Sequence, residues 1–334
     1  MRLKEPIELN GLRLRNRLVL PPMATKKSTP EGLVTEDLKE YYRRRTEGGC
    51  LGLVITEHAF VTQQGKDSMG QMSLADDRVL PGLRALTELF HENGSKVFAQ
   101  INHDGSMARP ECTGMEAVAP SAVRNPGAPA QGVIPRSLSI REIYEVEDRF
   151  VEAACRVKEA GFDGVEIHSA HAYLLNEFYS PLTNHRTDEY GGSLENRLRI
   201  HREIIRGIRK RLGEDYPIAV RLGGCDYMEG GNTVEDAAAA CRILAAEGVM
   251  LLDISGGMCR YIRTDCTDFA YFADTSEAVK RCVETPVLLT GGVTTAEQAE
   301  LLLQRGAADL IGVGRALMQD ADWARKAMGS LIKI

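Results

Sequence analysis

Three proton-handling side chains, His168, His171 and Tyr173, lie close together in the sequence. They follow the short apolar run Gly164 to Ile167, which is typical of a buried strand. Two-residue alternation places Glu166 and His168 on the same face as the chain leaves this strand. Imidazoles can donate hydrogen bonds to an oxygen that gains negative charge, and a phenol can deliver a proton. These are the groups that a reductase uses.

The two histidines also have less specific interpretations. A His-x-x-His pair is half of a zinc site, but a metal requires a third ligand, and no nearby Cys-x-x-Cys or His-Glu-x-x-His supplies one. We therefore predict no metal. The alternative, in which both histidines are structural, stays open at this point.

A longer match surrounds these residues. The stretch from His168 to Arg197, HSAHAYLLNEFYSPLTNHRTDEYGGSLENR, closely resembles the signature of the Old Yellow Enzyme family, FMN-dependent ene-reductases built on a TIM barrel. The resemblance implies that His168 and His171 bind the electron-withdrawing oxygen of the substrate. It also implies that Tyr173 is the proton donor.

Composition predicts one globular domain and excludes some partners. The chain has 334 residues, of which 43% are hydrophobic and 26% charged, and α/β barrels commonly use this length for a single domain. We therefore predict one domain over residues 1–334. The formal net charge of -6, without a basic tail, disfavours nucleic-acid and anionic-membrane binding.

Cysteine usage and the N-terminus point to a cytoplasmic protein. The eight cysteines are scattered and none forms a Cys-x-x-Cys, so we expect reduced thiols and see no indication of an iron–sulfur cluster. The start MRLKEPIELNG lacks the apolar core of a signal peptide, and no apolar run is long enough to span a bilayer.

Short apolar runs alternate with helix-like segments along the chain. Two helices carry strong start signals, the capping boxes Ser139 with Glu142 and Thr295 with Gln298. Near-continuous apolar runs suit parallel strands covered on both faces, and eight strand–helix units predict a (β/α)8 TIM barrel over residues 17–334. The runs are Leu18–Leu20, Leu51–Ile55, Val97–Ile101, Gly164–Ile167, Ile218–Leu222, Met250–Ile254, Val287–Leu289 and Leu310–Val313.

A hairpin and three long loops complete the predicted fold. Asn10-Gly11 predicts a hairpin turn within residues 6–16, which we place at the bottom of the barrel. Long loops are expected after strands three (Asp104–Leu138), four and six (Gly256–Ala273). The aromatic residues of the last loop, among them Tyr261, are expected either to line a substrate pocket or to pack the loop itself.

Residues just past the strands are informative because TIM barrels carry their chemistry at that face. Pro22, Met23 and Ala24 follow strand one and offer a flat backbone that suits a planar ring. Gln100, on strand three, has an amide that can both donate and accept at the pyrimidine edge of a flavin. Without the resemblance, a loop-tethering role for Gln100 is as plausible.

Arg221 lies inside strand five, where a guanidinium keeps its charge and must find an anion. Glu166 or Glu57 could satisfy it internally. Alternatively, Arg221 faces N1 and the C2 carbonyl of a flavin, where reduction places negative charge. Both roles can hold together.

Glycines at the ends of the last two strands predict a phosphate site. Gly291-Gly292 follows strand seven, and Gly314-Arg315 follows strand eight. Barrels often bind phosphate here, because glycine allows close approach of the backbone and arginine supplies a matching fork of donors.

The family resemblance joins these features and covers nearly the whole chain. It implies FMN, bound tightly but non-covalently, with NAD(P)H as the reductant. Relatives with an iron–sulfur cluster carry cysteines after the barrel, and since the sequence ends at Ile334 without them, we expect no such cluster. The residues implied to hold FMN are Pro22, Met23, Ala24, Gln100, Arg221, Gly291, Gly292, Gly314 and Arg315.

The chain departs from the family at three positions. Members often carry Cys or Thr near the flavin C4 carbonyl and Tyr shortly after, whereas this chain has Ala24 and Lys26. His58 stands where a small residue is frequent. Redox poise and substrate preference therefore cannot be transferred, and we expect Lys26 and Tyr261 to contact the substrate together with the histidines.

The predicted function is NAD(P)H-dependent reduction of an alkene conjugated to a carbonyl or nitro group. Hydride would reach the β-carbon, and Tyr173 would protonate the α-carbon. The alternative is a flavin-free barrel lyase or isomerase that acts on a phosphorylated substrate. A homo-oligomer is compatible with the sequence, which carries no readable code for oligomeric state, physiological substrate or choice between NADH and NADPH.

Overall fold

Eight parallel strands close into a barrel in the computed structural model, which describes residues 1–129, 132–266 and 268–331. The strands are β1 (Ile7–Leu9), β2 (Leu12–Leu14), β3 (Leu18–Leu20), β4 (Leu53–Ile55), β5 (Ala59–Phe60), β6 (Lys96–Asn102), β7 (Val118–Ala119), β8 (Arg136–Ser137), β9 (Gly164–Ser169), β10 (Ile218–Cys225), β11 (Leu251–Gly256), β12 (Val287–Thr290) and β13 (Leu310–Gly312). The barrel order is β3, β4, β6, β9, β10, β11, β12 and β13, and β13 pairs back onto β3.

Each predicted apolar run forms a barrel strand, which confirms the predicted fold class. The ends differ by up to three residues, most at β10, which continues to Cys225. The register of β10 with β11 shifts between Gly223 and Cys225, where the two backbone segments come very close. A Cβ on Gly223 would lie 2.6 Å from the Cα of Gly257, so only glycine fits this approach.

The hairpin closes the amino-terminal end of the barrel, as predicted. Strands β1 and β2 pair antiparallel across Asn10-Gly11. Leu9 and Leu14 are fully buried against side chains that fill the barrel interior near the strand starts, including Phe98. The apolar plug leaves the carboxyl ends of the strands as the open face of the barrel.

Helices surround the barrel, and two of them begin at the predicted capping boxes. The helices are α1 (Glu36–Thr46), α2 (Leu80–Glu92), α3 (Pro110–Thr113), α4 (Ile140–Glu159), α5 (Leu174–Tyr179), α6 (Leu194–Arg197), α7 (Arg199–Leu212), α8 (Val234–Ala246), α9 (Ala273–Lys280), α10 (Ala296–Gln304), α11 (Arg315–Gln319) and α12 (Trp323–Ser330). Both predicted capping boxes, at Ser139 and Thr295, are formed. No helix within the described ranges is long and apolar enough to cross a membrane.

The open face carries the three predicted long loops, after β6, β9 and β11, and one that was not predicted. The additional loop, residues 56–79, separates β4 from α2 and includes the short strand β5. Parts of two predictions lie outside the described residues, namely 130–131 and 267 in the loops and 332–334 at the end of the predicted barrel range.

Candidate active site

All of the predicted site residues line one cavity of about 460 Å³ at the carboxyl ends of the barrel strands. They are Pro22, Met23, Ala24, Lys26, Gln100, His168, His171, Tyr173, Arg221, Tyr261, Gly291, Gly292, Gly314 and Arg315. The structure thus brings together segments from seven barrel strands or the loops that follow them.

The floor of the cavity is a buried polar network. Arg221 Nε lies 3.2 Å from Asp253 Oδ2, and Thr290 Oγ1 donates to Asp253 Oδ1 over 3.1 Å. Gln100 Nε2 donates to Glu166 Oε1 at 2.8 Å. The pairing follows from strand register, since Arg221 lies beside Asp253 on the adjacent strand.

The predicted internal partners of Arg221 were wrong. Glu57 accepts a hydrogen bond from the Thr25 amide, and Glu166 is the acceptor for Gln100. Asp253 forms the ion pair instead. Sequence alone did not indicate this aspartate, because its position opposite Arg221 depends on the stagger between β10 and β11.

Burial controls the charge of the two floor carboxyls. It raises the pKa of Glu166 well above the ordinary 4.5, and the nearby Asp253 adds to this effect. Burial also raises the pKa of Asp253, to about 6, although Arg221 opposes the shift. At neutral pH, Asp253 is therefore the ionised partner of Arg221, while burial shifts Glu166 toward its protonated form.

A tight turn after β9 presents His171 and Tyr173 to the cavity. His171 and Ala172 have φ values of 62° and 67°, in the left-handed region that non-glycine residues rarely adopt. Two asparagine side chains hold this turn: Asn176 accepts from the Ala172 amide, and Asn125 donates to the Ala172 carbonyl, both at 2.8 Å. The long loop after β6, which supplies Asn125, therefore braces the loop after β9.

The two imidazoles and the phenol form one group. Ring centroids are 5.0 Å apart for His168 and His171 and 5.2 Å apart for His168 and Tyr173. His171 Nε2 also lies 2.8 Å from Ser255 Oγ, which fixes the ring orientation. Tyr261 stands at the rim, 52% exposed, with its ring 6.0 Å from that of His171.

The environment keeps this group uncharged and its phenol protonated. Burial lowers the pKa of His168 and His171 well below the ordinary 6.5, and the charge of Arg221 acts in the same direction. Burial raises the pKa of Tyr173 well above the ordinary 10.0. At neutral pH, the site therefore holds two neutral N–H donors and one protonated phenol.

The opposite end of the cavity is built from glycine loops. Gly292 has a φ of 79°, and a Cβ on Gly314 would lie 2.6 Å from Met23 Sδ, so glycine is required at both positions, and both line the cavity. Arg315 lies beside these loops and donates to Tyr271 Oη at 2.9 Å.

Sequence reasoning missed several residues of the cavity. His58 was noted only as a departure, yet its ring lies 5.4 Å from that of Tyr173. Asp67, Arg109, Ser255 and Arg260 also line the cavity. Their loops carry no periodic pattern, so only the folded chain shows where these side chains lie. Of the aromatic residues in the loop after β11, Tyr261 lines the cavity, whereas Phe272 is fully buried and packs the loop, so both alternatives occur.

One group of potential metal ligands lies in the described part of the chain. One atom from each of His58, Asp67 and Asp104 lies within 4.8 Å of the others. Asp67 already pairs with Arg109 at 3.1 Å. The histidines of the predicted His-x-x-His motif do not belong to this group.

Glu177 makes the stability of the site loop dependent on pH. Its Oε2 accepts from the Ser106 amide, its Oε1 from Asn125, and burial raises its pKa from 4.5 to about 8. Between these values the unfolded chain has lost the proton that the folded chain keeps. The contribution of Glu177 to the free energy of unfolding therefore falls with rising pH until about pH 8, by about 1.4 kcal/mol per pH unit.

Urea unfolding between pH 6.5 and 8 tests this expectation, and Glu177→Gln should make the fall shallower. Buried histidines such as His201, whose pKa burial lowers to about 3, act with opposite sign but mainly below pH 6.5. Glu145→Gln, at an exposed position on α4, is the matched control. An unchanged slope in the Glu177 variant would contradict the assignment.

Together, the closed barrel and this arrangement of neutral donors, floor arginine and glycine loops define a flavin-binding type of TIM-barrel site. Residues 2–333 match the model of the NADH:flavin oxidoreductase / NADH oxidase family, and the chain belongs to that family. The chain is also similar to the solved structure of the Old Yellow Enzyme homologue of Zymomonas mobilis, with a TM-score of 0.86 and 29% identity over 100% of this chain and 94% of that one. The predicted family is therefore confirmed.

Two sequence relatives of this chain have very different lengths, so the chain covers different shares of them. The chain is 41% identical to an NADH oxidase of Thermoanaerobacter brockii over 96% of this chain and 49% of that protein. It is 37% identical to an NADPH dehydrogenase of Bacillus subtilis over 98% of this chain and 94% of that protein. Because the chain spans about half of the first relative, the expected lack of an iron–sulfur cluster stays a prediction.

Proposed function

We propose that this chain is an FMN-dependent reductase that uses NAD(P)H to reduce alkenes conjugated to a carbonyl or nitro group. The observation that carries the proposal is the uncharged group of His168, His171 and Tyr173, buried at the cavity that also contains Arg221. Neutral N–H donors suit a carbonyl or nitro oxygen that gains negative charge during the reaction.

The polar groups that line the cavity match the chemistry of FMN. Gln100 Oε1 is buried and makes no hydrogen bond within the described part of the chain, so a donor of the ligand would satisfy it, and Arg221 lines the cavity as part of the same floor network. They would hold the pyrimidine edge of the flavin. Gly291, Gly292 and Arg315 would hold its phosphate.

The flavin, when bound, supplies hydride transfer from a nicotinamide to the β-carbon of the alkene. His168 and His171 orient the substrate by donating to its oxygen. A hydroxyl of Ser255 that donates to His171 Nε2 leaves the ring proton on Nδ1, the nitrogen then able to bind substrate. Tyr173 gives its phenolic proton to the α-carbon, and its raised pKa ensures that the proton is present.

Anaerobic half-reactions test the proposal. We expect the purified protein to contain FMN, to be bleached by NADH or NADPH, and to be reoxidised by cyclohexenone or a nitroalkene with formation of the saturated product. A colourless protein without affinity for FMN would favour the flavin-free alternative. A bleached protein that no activated alkene reoxidises would contradict the reductase assignment.

A further inference from the structure

A second cavity of about 380 Å³ adjoins the first. Asp67, Arg109, Tyr173 and Arg260 line both, so these four side chains form the junction between the two cavities. The rest of the second cavity has a mixed lining, in which the apolar side chains are Met107, Ala108, Pro110, Ala128, Pro129 and Val133. A substrate longer than a simple enone fits this combined space.

The cationic groups at the junction are not all neutralised. Arg109 pairs with Asp67 at 3.1 Å. Across the described ranges, by contrast, no carboxylate lies within 4.0 Å of the Arg260 guanidinium, and its buried Nε has no hydrogen-bond partner. An unpaired guanidinium nitrogen that is cut off from water calls for an anion or another strong acceptor.

The backbone holds Arg260 at this place. Arg260 lies in the segment that follows β11 and has a φ of 66°, in the left-handed region. Its backbone amide donates to the Gly257 carbonyl at 2.9 Å, which closes a tight turn. The guanidinium carbon lies 5.4 Å from the centre of the Tyr261 ring, so the side chain is supported on one face. Its charge also acts on Tyr173 and His171, which places it beside the reacting group.

Neighbouring acidic groups do not supply the missing negative charge. Asp104 is fully buried, and burial raises its pKa well above the ordinary 3.8, which disfavours its charged form. Glu111 lines the second cavity but is exposed to solvent. Lys26, which also lines the first cavity, adds positive charge.

We propose that Arg260 is an anion-binding residue and that the substrate is an activated alkene that also carries a carboxylate or phosphate group. The alkene lies beside Tyr173, the anionic group binds Arg260 at the junction, and the remaining apolar part extends into the second cavity. This inference rests on the proposed reductase function and specifies its substrate class.

The test compares paired ligands that differ only in charge. Acetylacrylate and para-carboxybenzylideneacetone are each compared with their carboxamides, and the aryl phosphate of para-hydroxybenzylideneacetone represents the phosphate source. Reoxidation of the NADPH-reduced protein gives the kinetics. Perturbation of the flavin spectrum by para-acetylbenzoate and para-acetylbenzamide, which have no reducible alkene, gives binding without turnover.

We expect the wild type to prefer anionic over neutral ligands by about 10- to 100-fold, the range for a charge-assisted hydrogen bond in a buried site. Arg260→Gln should bring the ratio of anionic to neutral turnover close to one, whatever its effect on benzylideneacetone itself, whereas Arg260→Lys should keep part of that ratio. Arg141→Gln, an equal charge change at an exposed position on α4, is the control. Unchanged FMN content verifies the fold of each variant.

Three results would overturn the inference. The first is a wild type that turns over anionic and neutral ligands equally well. The second is an Arg260→Gln variant whose turnover falls equally with anionic and neutral ligands. The third is an Arg260→Gln variant that loses only affinity for NADPH, which would mean that the residue binds the reductant. Failure of the proposed function looks different, because then no enone, neutral or anionic, would reoxidise the reduced wild type.

Discussion

Replacement of Tyr173 by phenylalanine is expected to slow the reduction of conjugated alkenes by about 10²- to 10⁴-fold, the usual contribution of a positioned proton donor. The ring would still fill its place beside His168, 5.2 Å away between centroids, so packing is retained. Only the proton is lost. Reduction of bound FMN by NAD(P)H involves no proton from this phenol and should remain within a few-fold of the wild-type rate.

Stopped-flow measurement of the two half-reactions separates these effects. Tyr144→Phe, a half-exposed tyrosine on α4 away from the cavity, controls for the chemical change itself. An equal loss in both half-reactions of the Tyr173 variant would mean that the side chain positions the flavin rather than protonates the substrate.

Replacement of Arg221 by methionine should have the largest effect on stability. The change leaves Asp253 fully buried without its cation, and loss of one partner of a buried ion pair costs about 3–5 kcal/mol. We also expect loss of FMN affinity, since no other cation within the described residues occupies the floor beside Gln100. Urea unfolding and flavin titration measure the two consequences separately.

The double variant Arg221→Met/Asp253→Asn separates the structural role from the cofactor role. With both charges removed, most of the lost stability should return, because the carboxamide that replaces the Asp253 carboxylate can still accept from Thr290, but FMN affinity should not. A double variant that binds FMN as tightly as the wild type would show that Arg221 serves only the fold.

The barrel could be predicted because its strands are buried on both faces and therefore appear as continuous apolar runs. The site could be predicted in outline because parallel strands all deliver their carboxyl ends to one face. His168, Arg221 and Arg315 are far apart in sequence, yet line one cavity for that reason.

What could not be predicted depends on geometry that no local pattern encodes. The Asp253 partner of Arg221 follows from the stagger of two strands. The left-handed turn at His171 exists because Asn125 and Asn176 hold it from outside. Arg260 and His58 come from loops whose course is set by tertiary contacts, so their approach to Tyr173 appears only in the folded chain.

The brace formed by Asn125 also limits how such an enzyme can be redesigned. Loops at the open face are attractive modules for exchange between relatives, because they shape the substrate space while the barrel stays fixed. Here the third loop is also a structural support of the fourth, through the contacts of Asn125 with Ala172 and Glu177. A grafted third loop without this amide would change the substrate specificity but would also destabilise the turn that orients His171. The loops after β6 and β9 therefore have to be exchanged together.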